Sequence, residues 1–314
     1  MRIAVYLPLL LCLFAPLGAR PLSERCEPRL ATWLLTLSSL LLAAASTLSL
    51  GLLAITGLIR VPRLAALGHW SAHTAQHDDP TELSIALLAG LLLGGAVLMA
   101  ARMLWRRARS LAATAAEAAC LPAQNGLVIV DDDVPDAFAL PGLPGRIVVS
   151  TGMLHTLDET EHDILLAHER AHLTAHHYAF VALAQLGAAA NPLLRPLATA
   201  VSYTVERWAD EAAVTTTGDR IRVARTVGKA ALASSRTSAR TNRAVLGMLG
   251  RRSHRDPLAT AGPVPRRVAA LLAPPLSRRP ALAVATAAVI AAATLASAEA
   301  AHDLHRLLET VGVS

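Results

Sequence analysis

Leu166-Ala167-His168-Glu169-Arg170-Ala171-His172-Leu173-Thr174-Ala175-His176-His177 is the stretch on which the reading of this chain turns. Ile164 and Leu165 lead into it with the spacing of a buried helix face. Asp158 and Glu161 form a capping box that predicts where that helix begins. Residues four apart on a helix point the same way, so His168 and His172 can offer ring nitrogens to one ion. Glu169, beside the first of them, can reach a water bound to that ion. This is the HExxH pattern. Three defined positions can arise by chance in a histidine-rich segment. Helix-favouring Arg170 and Ala171 between the ligands, and a second site downstream, argue otherwise.

That second site is Glu206-Arg207-Trp208-Ala209-Asp210, which begins 34 residues after His172. Zinc needs a third protein ligand and an open fourth position. Glu206 is the expected third ligand. Asp210, four residues on, is placed to accept the far N–H of a ligand histidine and fix its tautomer. A solvated helix face would show the same spacing, but the upstream motif favours ligands. A metzincin would instead carry glycine at 175 and histidine at 178; here these are Ala175 and Tyr178. His176 and His177 are left to pack, to hydrogen-bond or to orient substrate. Water on zinc ionises near pH 7, about nine units below bulk water, so Glu169 is expected to take its proton as it attacks a peptide carbonyl.

Upstream, a helix from Ser110 to Cys120 precedes a β-like run, Gly126 to Asp131. Ala137–Leu140 and Arg146–Ser150 follow, separated by Pro141-Gly-Leu-Pro-Gly145, which predicts a hairpin. Between the two site segments, Tyr178 to Tyr203 is apolar. It cannot cross a membrane once without separating Glu206 from His168, so it reads as core helices or as a hairpin dipping into the near leaflet.

The rest of the 314 residues read as membrane: 54% are apolar and only 17% charged, against about a quarter charged in ordinary soluble domains. This excludes a disordered chain and a disulfide-stapled secreted domain. Cys12, Cys26 and Cys120 show no metal spacing and read as structural. Spans are expected at about 3–19, 30–59, 83–105 and 280–298, the first an uncleaved helix rather than a signal peptide.

The net charge of +6 comes almost wholly from arginine, which clusters beside these runs. Arg20, Arg25, Arg29, Arg102, Arg106, Arg107, Arg109, Arg266, Arg267, Arg278 and Arg279 fall on one side. Arg2, Arg60, Arg63 and Arg306 fall on the other. The positive-inside rule then puts the N-terminus outside, residues 106–279 in the cytoplasm and a tail of about 16 residues, 299–314, outside. Direct nucleic-acid binding is not expected, because the arginine-rich 220–255 stretch lacks interleaved aromatics. His69, His73 and His77, spaced by four, could form a metal- or pH-sensing stripe, but a polar loop explains them more simply.

The segments Ala167-His-Glu-Arg-Ala-His172, Glu206-Arg-Trp-Ala-Asp-Glu211 and Asp136-Ala-Phe-Ala-Leu-Pro-Gly142 through Arg146-Ile-Val-Val-Ser150 resemble membrane gluzincins of the HtpX-like class. They resemble still more the BlaR/MecR-type peptidases. Val264-Pro-Arg-Arg-Val-Ala-Ala-Leu-Leu272 is similar to the stretch that closes the domain in those families. The resemblance implies a mainly α, multi-span membrane protein of the cell membrane with a cytoplasmic α+β zincin-like peptidase domain and one zinc per chain. It implies a protein substrate: cytoplasmic repressors in the receptor branch, damaged membrane proteins in the HtpX branch. It also implies that substrate adds as a strand at Ala137–Leu140 or Arg146–Ser150; Arg146, His176 and His177 are the candidate substrate contacts. The external penicillin-binding sensor of the receptors is expected to be absent. A competing expectation is a non-proteolytic sensor or scaffold that keeps the fold; the presence of Glu169 and Glu206 weighs against it.

Overall fold

The computed structural model describes residues 2–58, 83–120, 125–142, 144–242, 262–274, 284–289, 291–299 and 302. Among these the chain is mainly helical with one small sheet. It divides into two compact units. The first comprises Met1–Arg107, Val181–Val201 and Arg278–Ser314; the second comprises Ala108–Phe180 and Ser202–Ser277. The histidine stripe at 69, 73 and 77 lies outside the described residues, as does nearly all of the tail after Glu299.

The first unit is built on α1 (Arg2–Arg25), α2 (Pro28–Leu58) and the first part of α3 (Leu83–Cys120). Three stretches are long and apolar enough to cross a membrane: Val5–Arg25, Pro28–Ile55 and Ser84–Ala113. On α3, Leu87, Leu91 and Leu98 are about two-thirds or more exposed, a surface that suits lipid rather than water. The fourth expected span corresponds to a shorter apolar helix, Val284–Glu299. The third span and the expected Ser110–Cys120 helix form one continuous helix, α3. The segment from Met103 to Cys120 contains no glycine or proline to stop a helix.

Most hydroxyl groups in α2 are satisfied within the protein, Thr36 Oγ1 being a buried exception. Thr32, Ser38, Thr47 and Ser49 each donate to the carbonyl four residues back. A seam of small residues then admits the apolar 178–203 region. This region is the facing ends of α6 (His177–Ala190) and α7 (Arg195–Thr217), joined by a 3-10 turn at Pro192–Leu194. Its residues Val181–Val201 belong to the first unit. Ser39 Oγ donates to Ala184 O at 3.2 Å, and Asn191 Nδ2 donates to Ser46 Oγ at 3.1 Å. Gly187 lies so close to Ser39 that a Cβ there would collide with its side chain and carbonyl, as in small-residue helix contacts. Cys12 and Cys26 are buried in this unit.

In the second unit β1 (Leu127–Val130), β2 (Ala137–Leu140) and β3 (Arg146–Ser150) form a sheet of order β1-β3-β2. β3 pairs parallel with β1 and antiparallel with β2, Phe138 opposite Val148. The hairpin expected from the Pro141–Gly145 turn is therefore β2–β3. Ser150 caps α4 (Thr151–Thr156), and Asp158 caps α5 (Glu159–Thr174) with the full capping box to Glu161. Ile147, Val149, Met153, Leu157 and Leu165 form one core between sheet and helices. A second core joins Ile164 and Ala167 of α5 to Ala213 of α7, Val223 and Ala224 of α8 (Arg220–Asn242) and Leu271 of α9 (Pro263–Leu272). Arg220 locks α9 by pairing with Glu211 and donating to Leu271 O at 2.6 Å.

Candidate metal centre

α5 presents His168 and His172 on one face because they are one helical turn apart. α7 brings Glu206 against them. His168 Nε2 and His172 Nε2 are 3.1 Å apart; Glu206 Oε2 is 3.7 Å from the first and Oε1 is 3.6 Å from the second. A tetrahedral ion about 2.0–2.2 Å from each ligand separates ligand atoms by about 3.3–3.6 Å, close to the spacings here, so the three side chains could share a zinc ion after small adjustments. Among the described residues this is the one group of three such side chains able to share an ion.

The surrounding groups orient the ligands. Asp210 Oδ1 lies 3.1 Å from His168 Nδ1, within hydrogen-bond reach although the N–H axis is turned off the oxygen. Sequence reasoning missed Arg267, which it counted among the arginines marking the cytoplasmic side. Its Nε and Nη2 donate to both oxygens of Asp210 at 2.8 and 2.6 Å, and its Nη1 is 2.8 Å from Glu206 Oε2. One guanidinium thus bridges Glu206 and the carboxylate that faces His168. Two adjacent arginines on an otherwise apolar helix were the available signal. The other, Arg266, stacks 4.3 Å above the Tyr203 ring.

Glu169 is buried, lines the same cavity as His168 and Glu206, and its carboxylate accepts a hydrogen bond from the Ala139 backbone. A cavity of about 180 Å³ opens beside it, walled by Met153, Ile164, Val223, Val227 and Ala230. Burial in these apolar surroundings pushes the Glu169 carboxyl up to about 7, against the pull of His168. Burial works in the same direction on Glu206, but the His168 contact and the Arg267 charge hold it down at about 2. Burial pushes His172 down to about 4, which keeps it a neutral ligand. Burial opposes charge on His168 too, yet Asp210 and Glu206 raise it to about 9.

The expected substrate contacts are dispersed. β3 is flanked on both edges, so the backbone of Arg146–Ser150 has no edge on which a strand could add. β2 has one. Ser150 N donates to Asp136 O, so by alternation Ala137 and Ala139 turn their backbone groups away from β3, and the Ala139 N–H reaches Glu169. His176 is exposed in a left-handed turn with φ of 53°. His177 is 1% exposed and lies behind His172, where substrate cannot touch it.

Residues 105–194 match the model for Peptidase family M48. The match supports a metallopeptidase, and it contains the HExxH segment. It ends before Glu206, Asp210 and Arg267, whose place in the site rests on the geometry above. No curated protein and no solved structure matches the chain.

Proposed function

We propose that this protein is an integral-membrane zinc endopeptidase whose site lies on the cytoplasmic side. The observation that carries the reading is the His168–His172–Glu206 triangle with the buried Glu169 carboxylate beside it. His168, His172 and Glu206 would hold the ion, leaving a fourth position open. Zinc there supplies Lewis acidity towards water and a peptide carbonyl. Glu169 takes the proton of the attacking water and returns it to the leaving amine. Its elevated pKa suits both transfers near neutral pH. Asp210 orients His168, and Arg267 keeps Asp210 and Glu206 ionised and aimed.

The substrate lies as an extended segment along the open edge of β2, which brings its backbone past Glu169. The apolar cavity beside Glu169 receives a side chain next to the cleaved bond. Three helices long and apolar enough to cross a membrane support membrane integration, and the arginine distribution supports a cytoplasmic domain. The resemblance to BlaR/MecR-type peptidases favours a cytoplasmic repressor as substrate over the damaged membrane proteins of the HtpX branch.

The test is metal analysis of the purified full chain. Wild type should hold one zinc, and a variant carrying both His168→Ala and His172→Ala should hold none. Glu169→Gln should keep the metal and lose peptide cleavage, because the general base is not a ligand. Full zinc occupancy in the double variant, or undiminished cleavage in Glu169→Gln, overturns the reading.

A further inference from the structure

His177 lies outside the ligand triangle but touches it from behind. α5 ends at Thr174, and His176 takes the left-handed conformation common just past a helix end, so α6 starts at once with His177. Its ring meets that of His172 edge-on, with centroids 4.8 Å apart and planes at 88°. Trp208 of α7 is 4.7 Å from it. His177 Nδ1 is 3.1 Å from His172 Nδ1. The other nitrogen, Nε2, is buried and has no hydrogen-bond partner among the described residues.

A neutral imidazole carries one N–H, so the two Nδ1 atoms must share a single proton between them. If the proton sits on His177, the His172 proton is on Nε2, and that nitrogen has no lone pair for a metal. If it sits on His172 Nδ1, His177 Nδ1 accepts it and His172 Nε2 is free to ligate. In either case His177 Nε2 is left without a partner, at a cost in free energy that a phenylalanine or leucine filling the same space would avoid. An imidazole that only packs has no reason to carry this orphaned nitrogen; one retained for its Nδ1 does.

We propose that His177 is a positioning residue, which accepts the Nδ1–H of His172 and so holds that ring in the tautomer and orientation that present Nε2 to the metal. This rests on the metal site proposed above. Ligand histidines generally donate their second N–H to a carboxylate, a carbonyl or water; here a second imidazole takes that part. Asp210 Oδ1, 3.1 Å from His168 Nδ1, stands in the corresponding place beside the other histidine.

The experiment uses the full chain in detergent with zinc alone as the probe. His177→Phe should weaken zinc binding by about 10–100-fold, the usual effect of losing an outer hydrogen bond to a ligand. His177→Asn, whose Oδ1 stands where Nδ1 was, should restore most of the affinity. His177→Gln, whose carbonyl reaches past that point, should not. In zinc-loaded wild type, nitrogen NMR with ¹⁵N-histidine should place the His172 proton on Nδ1 and the His177 proton on Nε2, a readout that needs no variant to fold. Wild-type affinity in His177→Phe overturns the proposal, as does equal weakening in Phe and Asn variants or a proton on His177 Nδ1. His168→Ala, run in parallel, separates the two readings. Zinc binding that survives it removes the metal site itself. Zinc lost there but unchanged in His177→Phe removes only the role of His177.

Discussion

In α2, Thr32, Ser38, Thr47 and Ser49 donate to carbonyls four residues back along their own helix, whereas at the metal centre Arg267 reaches across 57 residues to Asp210. Both regions keep polar atoms out of water. In the first, each of these four hydroxyls is satisfied by the helix that carries it, so losing one disturbs nothing else. In the second, α5, α7 and α9 each supply charges that are tolerable in burial only because the others are present. The contrast teaches where substitutions will be absorbed and where they will spread.

The sharpest way to break that contrast is at the carboxylates. Glu206→Gln keeps the shape of the ligand but removes its charge, and should abolish zinc binding measurable at micromolar metal. Asp210→Asn should weaken it by roughly 10–100-fold, because Asp210 acts through His168. Arg267→Ala leaves the buried Asp210 carboxylate without its counter-charge and should lower the stability of the metal-free protein by about 3–5 kcal/mol. Zinc should recover part of that loss by neutralising Glu206. Thermal unfolding with and without zinc measures both. An Arg267→Ala variant as stable as wild type would show that the network is no more interdependent than the hydroxyls of α2.

Acidity tests the same network by a smaller step. In the metal-free protein His168 is held protonated up to about 9 by Asp210 and Glu206, while His172 near 4 and Glu206 near 2 have already lost their protons at neutral pH. Below about 9 zinc must therefore displace one proton, and affinity should rise about tenfold per pH unit between about pH 6 and about pH 8. Calorimetric zinc titrations in buffers of different ionisation heat count that proton. A flat profile would show His168 neutral without metal, with Asp210 exerting no hold on it.

The smallest effects belong to the first unit, and they sharpen the comparison within it. Ser38→Ala removes a hydroxyl bonded to its own helix and should change stability by under about 0.5 kcal/mol. Asn191→Ala removes a contact to Ser46 from a distant segment and the cap on Leu193 N–H, and should cost about 1–2 kcal/mol. Unfolding of the two variants in detergent gives the difference directly. Equal costs would mean that the seam holding Val181–Val201 contributes little.

Much of the site was legible before the fold because its logic is local. One helical turn between His168 and His172, and one between Glu206 and Asp210, make each pair visible in sequence. Capping chemistry placed the start of α5, and the turn residues 141–145 separated β2 from β3 at the observed bounds. Sequence patterning could not say which strand has an open edge. β1 comes first in the chain yet pairs with β3, which closes the Arg146–Ser150 backbone on both sides and leaves β2 to face Glu169.

What the sequence by itself determined is the reactive pattern: two histidines, a neighbouring glutamate and a distant pair of carboxylates, each recognisable because helical periodicity is a property of adjacent residues. Only the tertiary structure decided who partners them. Arg267 looked like a membrane-topology charge until α9 packed beside α7 and set it against the buried Asp210 and the partly exposed Glu206. His177 looked like a spare substrate contact until the turn at His176 placed its Nδ1 against that of His172. Ion pairs and hydrogen bonds between segments depend on distances that no local spacing encodes, so they emerge only when the cores around Ile164 and Val149 bring those segments together.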